Sequence, residues 1–149
     1  MKPEDKEILL KDLCARLNTN LVCSIYRIDD QGIGYRNEIL YGYCNIDRWN
    51  EFYFGEDCGI SIDDVSKIKP YLFPLSSMTD KELTEFLQIK GMNLNSDELK
   101  TFRRGETAIV STLSSYSRHI DWLNARHFDY RGLIEKSLAL DATKLNIYN

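Results

Sequence analysis

Histidine is scarce in this sequence, and the short motifs that mark common catalytic and nucleotide-binding sites are missing. The chain has 149 residues and only two histidines. No G-x-S-x-G elbow surrounds a serine, and the GIG stretch at 32–34 lacks the third glycine and the following helix of a phosphate-binding loop. The sequence leaves open whether the protein is an enzyme and favours a function without catalysis.

The four cysteines, at positions 14, 23, 44 and 58, do not form the pairs that bind zinc or carry redox chemistry. No two are spaced as C-x-x-C, and no histidine lies near enough for a zinc-finger pattern. Cys14 falls on an apolar helical stripe, and Cys23 and Cys44 fall within strand-like runs. We expect these cysteines to be buried, reduced thiols that act as small hydrophobic side chains.

Long apolar runs and an excess of basic charge are also missing. No run approaches the roughly 20 residues of a membrane span, and the N-terminal stretch MKPEDKEILLKDL lacks the apolar centre of a signal peptide. The net charge is -4, from 19 basic and 23 acidic side chains, so a basic face for duplex nucleic acid is not indicated. We therefore expect a cytoplasmic protein with neither a membrane nor duplex nucleic acid as partner.

The composition is that of one folded domain over residues 1–149. Hydrophobic residues make up 43% and charged residues 28% of the chain, the balance of a globular protein and not of a disordered one. An apolar stripe at helical spacing predicts an N-terminal helix. The stripe comprises Leu9, Leu10, Leu13, Cys14 and Leu17.

Short strand-like runs separated by tight turns follow this helix. They cover residues 21–28, 37–46, 49–54 and 60–62, a pattern typical of an antiparallel meander, which can curl toward a small barrel. In the second run, alternation predicts two opposite faces. One face would carry Ile39, Tyr41 and Tyr43, and the other Leu40, Gly42 and Cys44.

Two other stretches have extended character. Pro70 and Pro74 bracket an apolar segment, and because proline lacks a backbone donor we expect this segment at a sheet edge or as an extended crossing. The β-branched residues of 107–113 predict a further strand that could join the sheet.

Capping signals and apolar spacing predict the remaining helices. Thr79 and Glu82 match a capping box, and Asn95 or Ser96 would cap a short helix that runs to Phe102. Near the C-terminus, one stripe comprises Tyr116, Ile120, Leu123, His127 and Tyr130. A second helix, which Asp129 would cap, would bury Leu133, Ile134, Ser137, Leu138 and Leu140. The predicted class is α+β: a small antiparallel sheet, an N-terminal helix and a helical C-terminal third.

Both histidines lie two residues before an aspartate, as His119 with Asp121 and His127 with Asp129. On a continuous helix, residues two apart point about 200° from each other, and the histidines would lie about 12 Å apart along the axis. One metal ion could not reach both, so we expect neither a metal site nor a cofactor. Since His127 lies on the apolar stripe, we expect it to be buried and hydrogen-bonded.

The predicted break between the two C-terminal helices allows two interpretations. In the first, which we favour, it is a corner at which Asp129 caps and Arg131 pairs with a carboxylate. In the second, a helix N-terminus and Arg131 form an anion site, and Gly132 permits close approach of a ligand.

Three segments carry a resemblance to known proteins: LLKDLCARL (9–17), KPYLFPLSSMT (69–79) and DWLNARHFDYRGLIEKSLALDAT (121–143). They resemble a family of short proteins from Bacteroidetes genomes and from their phages and prophages. The resemblance implies a setting, a small cytoplasmic protein of a phage or mobile element in a bacterial host. It carries no activity onto individual residues.

These observations favour a non-enzymatic binding protein. It would act on a host protein, such as a defence protein, or sequester a small signalling nucleotide through stacking and arginine contacts. The candidate ligand- or partner-binding residues are Tyr41, Tyr43, Trp49, Trp122, His127, Asp129, Tyr130 and Arg131.

Two alternatives stay open. The first is a small hydrolase that uses His127 with Asp129 or Asp121, which requires His127 to be exposed in an open cleft. The second is a structural or assembly protein that forms a homo-oligomer through exposed tyrosine and tryptophan.

Overall fold

The computed structural model describes residues 1–29, 32–46, 49–54, 58–89, 94–104 and 117–148. Its helices are α1 (Pro3–Ala15), α2 (Asp80–Gln88), α3 (Ser96–Arg103) and α4 (Ser117–Ala125). Its strands are β1 (Val22–Asp29), β2 (Gly32–Ile46), β3 (Trp49–Phe54), β4 (Cys58–Ser61), β5 (Ile68–Pro74), β6 (Phe128–Asp129) and β7 (Leu140–Asp141). Two 3-10 helices, Ile62–Lys67 and Leu75–Ser77, flank β5.

The strands form one mixed sheet, and the predicted α+β class is confirmed. The strand order is β4-β3-β2-β1-β5-β6, with β7 also beside β5. The first four strands are the predicted antiparallel meander, whereas β6 and β7 pair with β5 in parallel. The sheet stays open, so it does not curl into a barrel. None of the helices in the described ranges is long and apolar enough to cross a membrane.

A β-bulge between Leu40 and Gly42 changes which face of β2 the later residues occupy. Before the bulge, Leu40 faces the core and Tyr41 is 76% exposed. After it, Tyr43 packs on buried Phe52 with ring centres 5.0 Å apart. The prediction that Tyr41 and Tyr43 share a face is therefore wrong, because the extra residue of a bulge reverses the alternation.

The proline-bracketed strand β5 lies inside the sheet as an extended crossing. Its residues 68–70 pair with β1, its residues 71 and 72 pair with β7, and its residues 73 and 74 pair with β6. The ladder with β1 ends at Pro70, which has no N–H to continue it. The strand therefore joins the meander to the C-terminal part of the chain.

The predicted capping box of Thr79 and Glu82 is confirmed, and Asn95 is the cap of α3 with a capping box of its own. The Thr79 hydroxyl accepts from the Glu82 N–H, and Asn95 accepts from the N–H of Glu98, while each glutamate side chain accepts from the backbone N–H of its cap residue. Each box satisfies donors that the first turn leaves without a partner.

The C-terminal third is much less helical than the sequence predicts. The helix α4 ends at Ala125, and His127 adopts a left-handed backbone with φ 59°. Residues 133–137 form turns, and Gly132 and Ser137 also have positive φ, at 70° and 59°. Because a helix needs negative φ throughout, the second predicted helix does not form. Tyr116 and the strand predicted over 107–113 lie outside the described residues.

The buried apolar side chains form two clusters. The first lies between α1, the strands β1–β5 and the turns after Gly132, and the second joins α2, α3, α4 and β6. Cys23 is buried and Cys44 is half-buried, but Cys14 is exposed, so its predicted burial is wrong. The side chain of Cys58 lies outside the described residues.

Candidate functional site

Five large apolar side chains are exposed together on the outer surface of the β1–β2 hairpin. We call this surface the apolar face. It consists of Ile28 (72% exposed), Ile33 (71%), Tyr35 (66%), Ile39 (47%) and Tyr41 (76%). The register pairs Ile28 with Ile33, Tyr26 with Tyr35 and Val22 with Ile39. Since side chains alternate along a strand, the odd residues of β2 before the bulge all point to this surface.

Contacts within the sheet hold the apolar face in place. The rings of Tyr26 and Tyr35 meet edge to face with centres 5.3 Å apart. The Tyr71 hydroxyl donates to Asn37 Oδ1 over 3.0 Å, from β5 across β1 to β2. A surface ordered in this way loses little side-chain entropy when a partner binds.

The opposite surface of the same strands differs in character. There Cys23, Ile25 and Leu40 are buried in the first cluster. Further along, Arg27 and Glu38 form an ion pair of 2.6 Å. This ion pair accompanies the core side of the hairpin, and the outer side exposes the five uncharged side chains of the apolar face. An exposed patch of this kind marks an interaction site more often than a scattered apolar residue does.

A second notable group is a buried ion pair on α1. Asp12 and Arg16 are both 0% exposed. Arg16 Nε donates to Asp12 Oδ2 over 2.8 Å and Arg16 Nη2 donates to Oδ1 over 3.1 Å, a two-point geometry that gives strong charge-assisted hydrogen bonds. Arg131 Nε donates to the same Oδ1 over 3.2 Å. We call these three side chains the Asp12 network.

The Asp12 network also binds the chain that follows α4. Arg16 Nη2 donates to the carbonyl of Phe128 over 2.8 Å and Nη1 to that of Asn124 over 3.4 Å. The guanidinium carbons of Arg16 and Arg131 lie 5.5 and 4.5 Å from the centre of the Tyr130 ring, within cation–π range. With its charges engaged in this way, the network acts as a structural tie between α1 and the C-terminal segment.

The corner interpretation is confirmed for Arg131, which pairs with the carboxylate of Asp12, but the predicted capping of a second helix by Asp129 is wrong because turns follow instead of a helix. Asp129 Oδ1 accepts from the Leu133 N–H over 2.9 Å and Oδ2 from the Ile134 N–H over 2.8 Å. Burial raises the pKa of Asp129, and these two N–H groups act in the opposite direction. The anion site is not formed, because Asp129 itself takes the free N–H groups and Arg131 binds Asp12. Gly132 supplies a positive φ, and no atom lies close to where its Cβ would be.

His127 is buried, as predicted, with 7% of its surface exposed. Its ring stacks on Tyr148 with centres 4.1 Å apart and planes 13° from parallel, and its Nδ1 has no hydrogen-bond partner in the described part of the chain. Burial, and to a lesser extent the charge of Arg16, lowers the pKa of His127 to about 4. The hydrolase hypothesis requires this imidazole in an open cleft, and the structure gives it no such exposure.

The eight candidate residues do not assemble into one site. His127, Asp129, Tyr130 and Arg131 meet around the Asp12 network, whereas the other candidates have separate surroundings. Trp122 stacks on Phe128 at 5.9 Å and lies under the Arg126 guanidinium at 4.7 Å, in the second cluster. Tyr41 lies on the apolar face and Tyr43 on the core side of the sheet. Trp49 begins β3, and its side chain lies outside the described residues.

Sequence reasoning missed the residues that matter most at both places. For Asp12 and Arg16, the available signal was an i,i+4 pair of opposite charges inside an apolar helical run. For Ile33 and Tyr35, the signal was a period-2 pattern from residue 33 to residue 41 that is apolar except at Asn37 and begins before the predicted strand.

Comparison of the chain with models of known protein families, with curated proteins and with solved structures gives no match. Within the described ranges, no three His, Cys, Asp or Glu side chains gather in a way that could hold a metal ion.

We predict that Asp12→Ala lowers the free energy of unfolding by about 3–5 kcal/mol, because it leaves the Arg16 charge buried without its carboxylate. Urea denaturation followed by circular dichroism measures this loss. The matched control is Glu7→Ala, which removes an exposed i,i+4 partner of Lys11 on the same helix. Equal losses for the two variants would contradict the structural role of the network.

A pH dependence follows from His127. Its pKa is about 4 in the folded protein and about 6.5 in an unfolded chain, so the unfolded state binds the proton first as pH falls. His127 therefore lowers stability by about 2 kcal/mol between pH 7 and pH 5. The raised pKa of Asp129 acts with the opposite sign, so the test compares wild type with His127→Asn.

Asparagine tolerates a positive φ and does not titrate, which makes His127→Asn the suitable reference. Urea denaturation of both proteins at several pH values should give a smaller decline from pH 7 to pH 5 in the variant. Parallel stability profiles would show that His127 does not contribute to the pH dependence.

Proposed function

We propose that this chain is a non-enzymatic binding protein of a phage or mobile element. In this proposal it acts in the cytoplasm of the bacterial host, and its apolar face docks onto a host protein. The observation that carries the proposal is the apolar face itself, with five large uncharged side chains 47–76% exposed on one surface of two paired strands. The phage setting comes from the resemblance of segments 9–17, 69–79 and 121–143.

The chemistry of the apolar face suits a protein partner. Tyrosine is enriched in the buried centres of protein interfaces and charged residues are depleted there. Tyr35 and Tyr41 are the largest side chains of the face, and a tyrosine contributes both apolar area and a hydroxyl that can keep a hydrogen bond at the rim. The three isoleucines between and beside them are stiff and lose little freedom on docking.

A small nucleotide fits the geometry less well than a protein. Recognition of its phosphates needs arginine or free backbone donors, and the face carries no charged side chain. The guanidinium groups of Arg16 and Arg131 bind Asp12, and the N–H groups of Leu133 and Ile134 bind Asp129. The internal carboxylates therefore occupy the donors that a phosphate would use.

The test is affinity capture from a host lysate with substitutions on the apolar face. We expect wild type to retain a host protein that the Ile33→Asp and Tyr41→Asp variants lose, because an unpaired carboxylate buried in an apolar interface is strongly unfavourable. Mass spectrometry identifies the retained protein, and circular dichroism checks that the variants fold.

Leu145→Asp is the matched control for this experiment. Leu145 is also an exposed apolar side chain, at 46%, but it belongs to the C-terminal tail and not to β1 or β2. The control should capture the same protein as wild type. Equal capture by wild type and by both face variants would exclude the apolar face as the binding surface.

A further inference from the structure

We infer that the apolar face also binds a second copy of this chain, so that two copies pack face to face around a two-fold axis. The inference rests on the proposed function in one respect: it assigns a partner to the same docking surface. A homodimer would cover the face until a host protein displaces the second copy.

The size of the face fits a specific dimer. Full burial of an aromatic side chain removes about 150–250 Å² from solvent, so Tyr35 and Tyr41, at 66% and 76% exposed, supply up to about 350 Å², and the three isoleucines add to this. A standard stable interface uses about 800 Å² from each partner. The backbone and the neighbouring residues of β1 and β2, such as Tyr26 and Asn37, lie on the same surface and add to this area.

The charge distribution favours self-association through this surface over any charged one. Two copies of the chain each carry a net charge of -4 and therefore repel each other at long range, and surfaces that are uncharged add no local repulsion to this when they meet. The five side chains of the face are uncharged, while the Arg27–Glu38 ion pair of the hairpin lies on the opposite surface. In a two-fold interface the same patch contacts itself, and a face of isoleucine and tyrosine is complementary to its own copy.

A second layer packed against the β1–β2 hairpin would also stabilise its two-stranded end. Beside β1, the strand β5 pairs only with residues 23–25, so among the described residues 26–29 and 32–35 form a two-stranded ribbon. Such a ribbon is marginally stable in water without another layer against it. Two sheets that pack about 10 Å apart with interleaved side chains provide that layer for each other.

A pair of opposite-charge variants tests the dimer directly. Tyr35 lies near the middle of the face, between Ile33 and Ile39 and beside Tyr26, so in a two-fold dimer it lies near the axis. Sedimentation equilibrium of the full chain over a wide range of concentration should show a reversible dimer for wild type and for Leu145→Asp. Tyr35→Asp and Tyr35→Lys, measured separately, should weaken dimerisation by at least about 100-fold.

The mixture of the two variants distinguishes a broken interface from a misfolded chain. An equimolar mixture of Tyr35→Asp and Tyr35→Lys should recover dimers that contain one copy of each, because the opposite charges then meet across the axis. Recovery of this kind requires that both variants are folded and that the same face meets its copy.

Two outcomes would overturn the inference. A wild-type chain that stays monomeric at every concentration excludes the homodimer. If Ile33→Asp still abolishes capture of a host protein in that case, the proposed function stands, and the host protein is the partner that occupies the face. A dimer that Tyr35→Asp leaves unchanged locates the dimer interface elsewhere. Loss of dimerisation in the variants without loss of host capture would instead overturn the proposed function and retain the dimer.

Discussion

The ion pair between Asp12 and Arg16 lies fully out of water, and the rest of the C-terminal structure depends on how it is satisfied. Removing two charges from solvent costs several kcal/mol for each ion, so every donor of the guanidinium needs a nearby acceptor. The carboxylate of Asp12 takes Nε and Nη2, and the carbonyls of Asn124 and Phe128 provide the other acceptors. The chain after α4 must therefore pass directly beside α1.

This constraint explains the irregular path that follows α4. The left-handed backbone of His127 turns the chain so that its own carbonyl accepts from Phe73 N–H over 2.9 Å, which pairs β6 with β5. Segments 9–17 and 121–143 meet at the Asp12 network, and segment 69–79 joins them through the hydrogen bond from Phe73 N–H to the His127 carbonyl.

The sequence predicts those parts of the fold that depend on local signals. The capping box of Thr79 and Glu82, the strand at 49–54 and the meander follow from turn and cap chemistry that acts over a few residues. The prediction of a second C-terminal helix is wrong, although its apolar spacing does mark buried residues, since Leu133 and Leu138 are buried. The backbone there forms turns around the Asp129 carboxylate. Apolar spacing does not encode this tertiary contact.

The candidate site was only partly predictable for a related reason. Alternation in β2 shows that the strand has two faces, and both faces contain large apolar residues, so the pattern alone does not say which face α1 covers. Tyr41, a predicted binding residue, lies on the apolar face. The sequence predicts Tyr43 on the same face as Tyr41, but the bulge at Gly42 moves Tyr43 to the core side. Apolar alternation does not show a register irregularity of one residue, for which the available signal was the isolated Gly42 within the strand pattern.

The Asp12 network and the apolar face contribute to this molecule in opposite ways. The polar atoms of the Asp12 network are held by geometry and give the body of the protein one specific arrangement, since a displaced donor would leave a buried charge unpaired. The apolar face has the opposite character: it is non-directional, uncharged and left in water, where each exposed isoleucine and tyrosine is unfavourable. A body held in one arrangement that presents such a surface loses little entropy on docking and gains the burial of the face, which is the energetic basis of the binding that we propose.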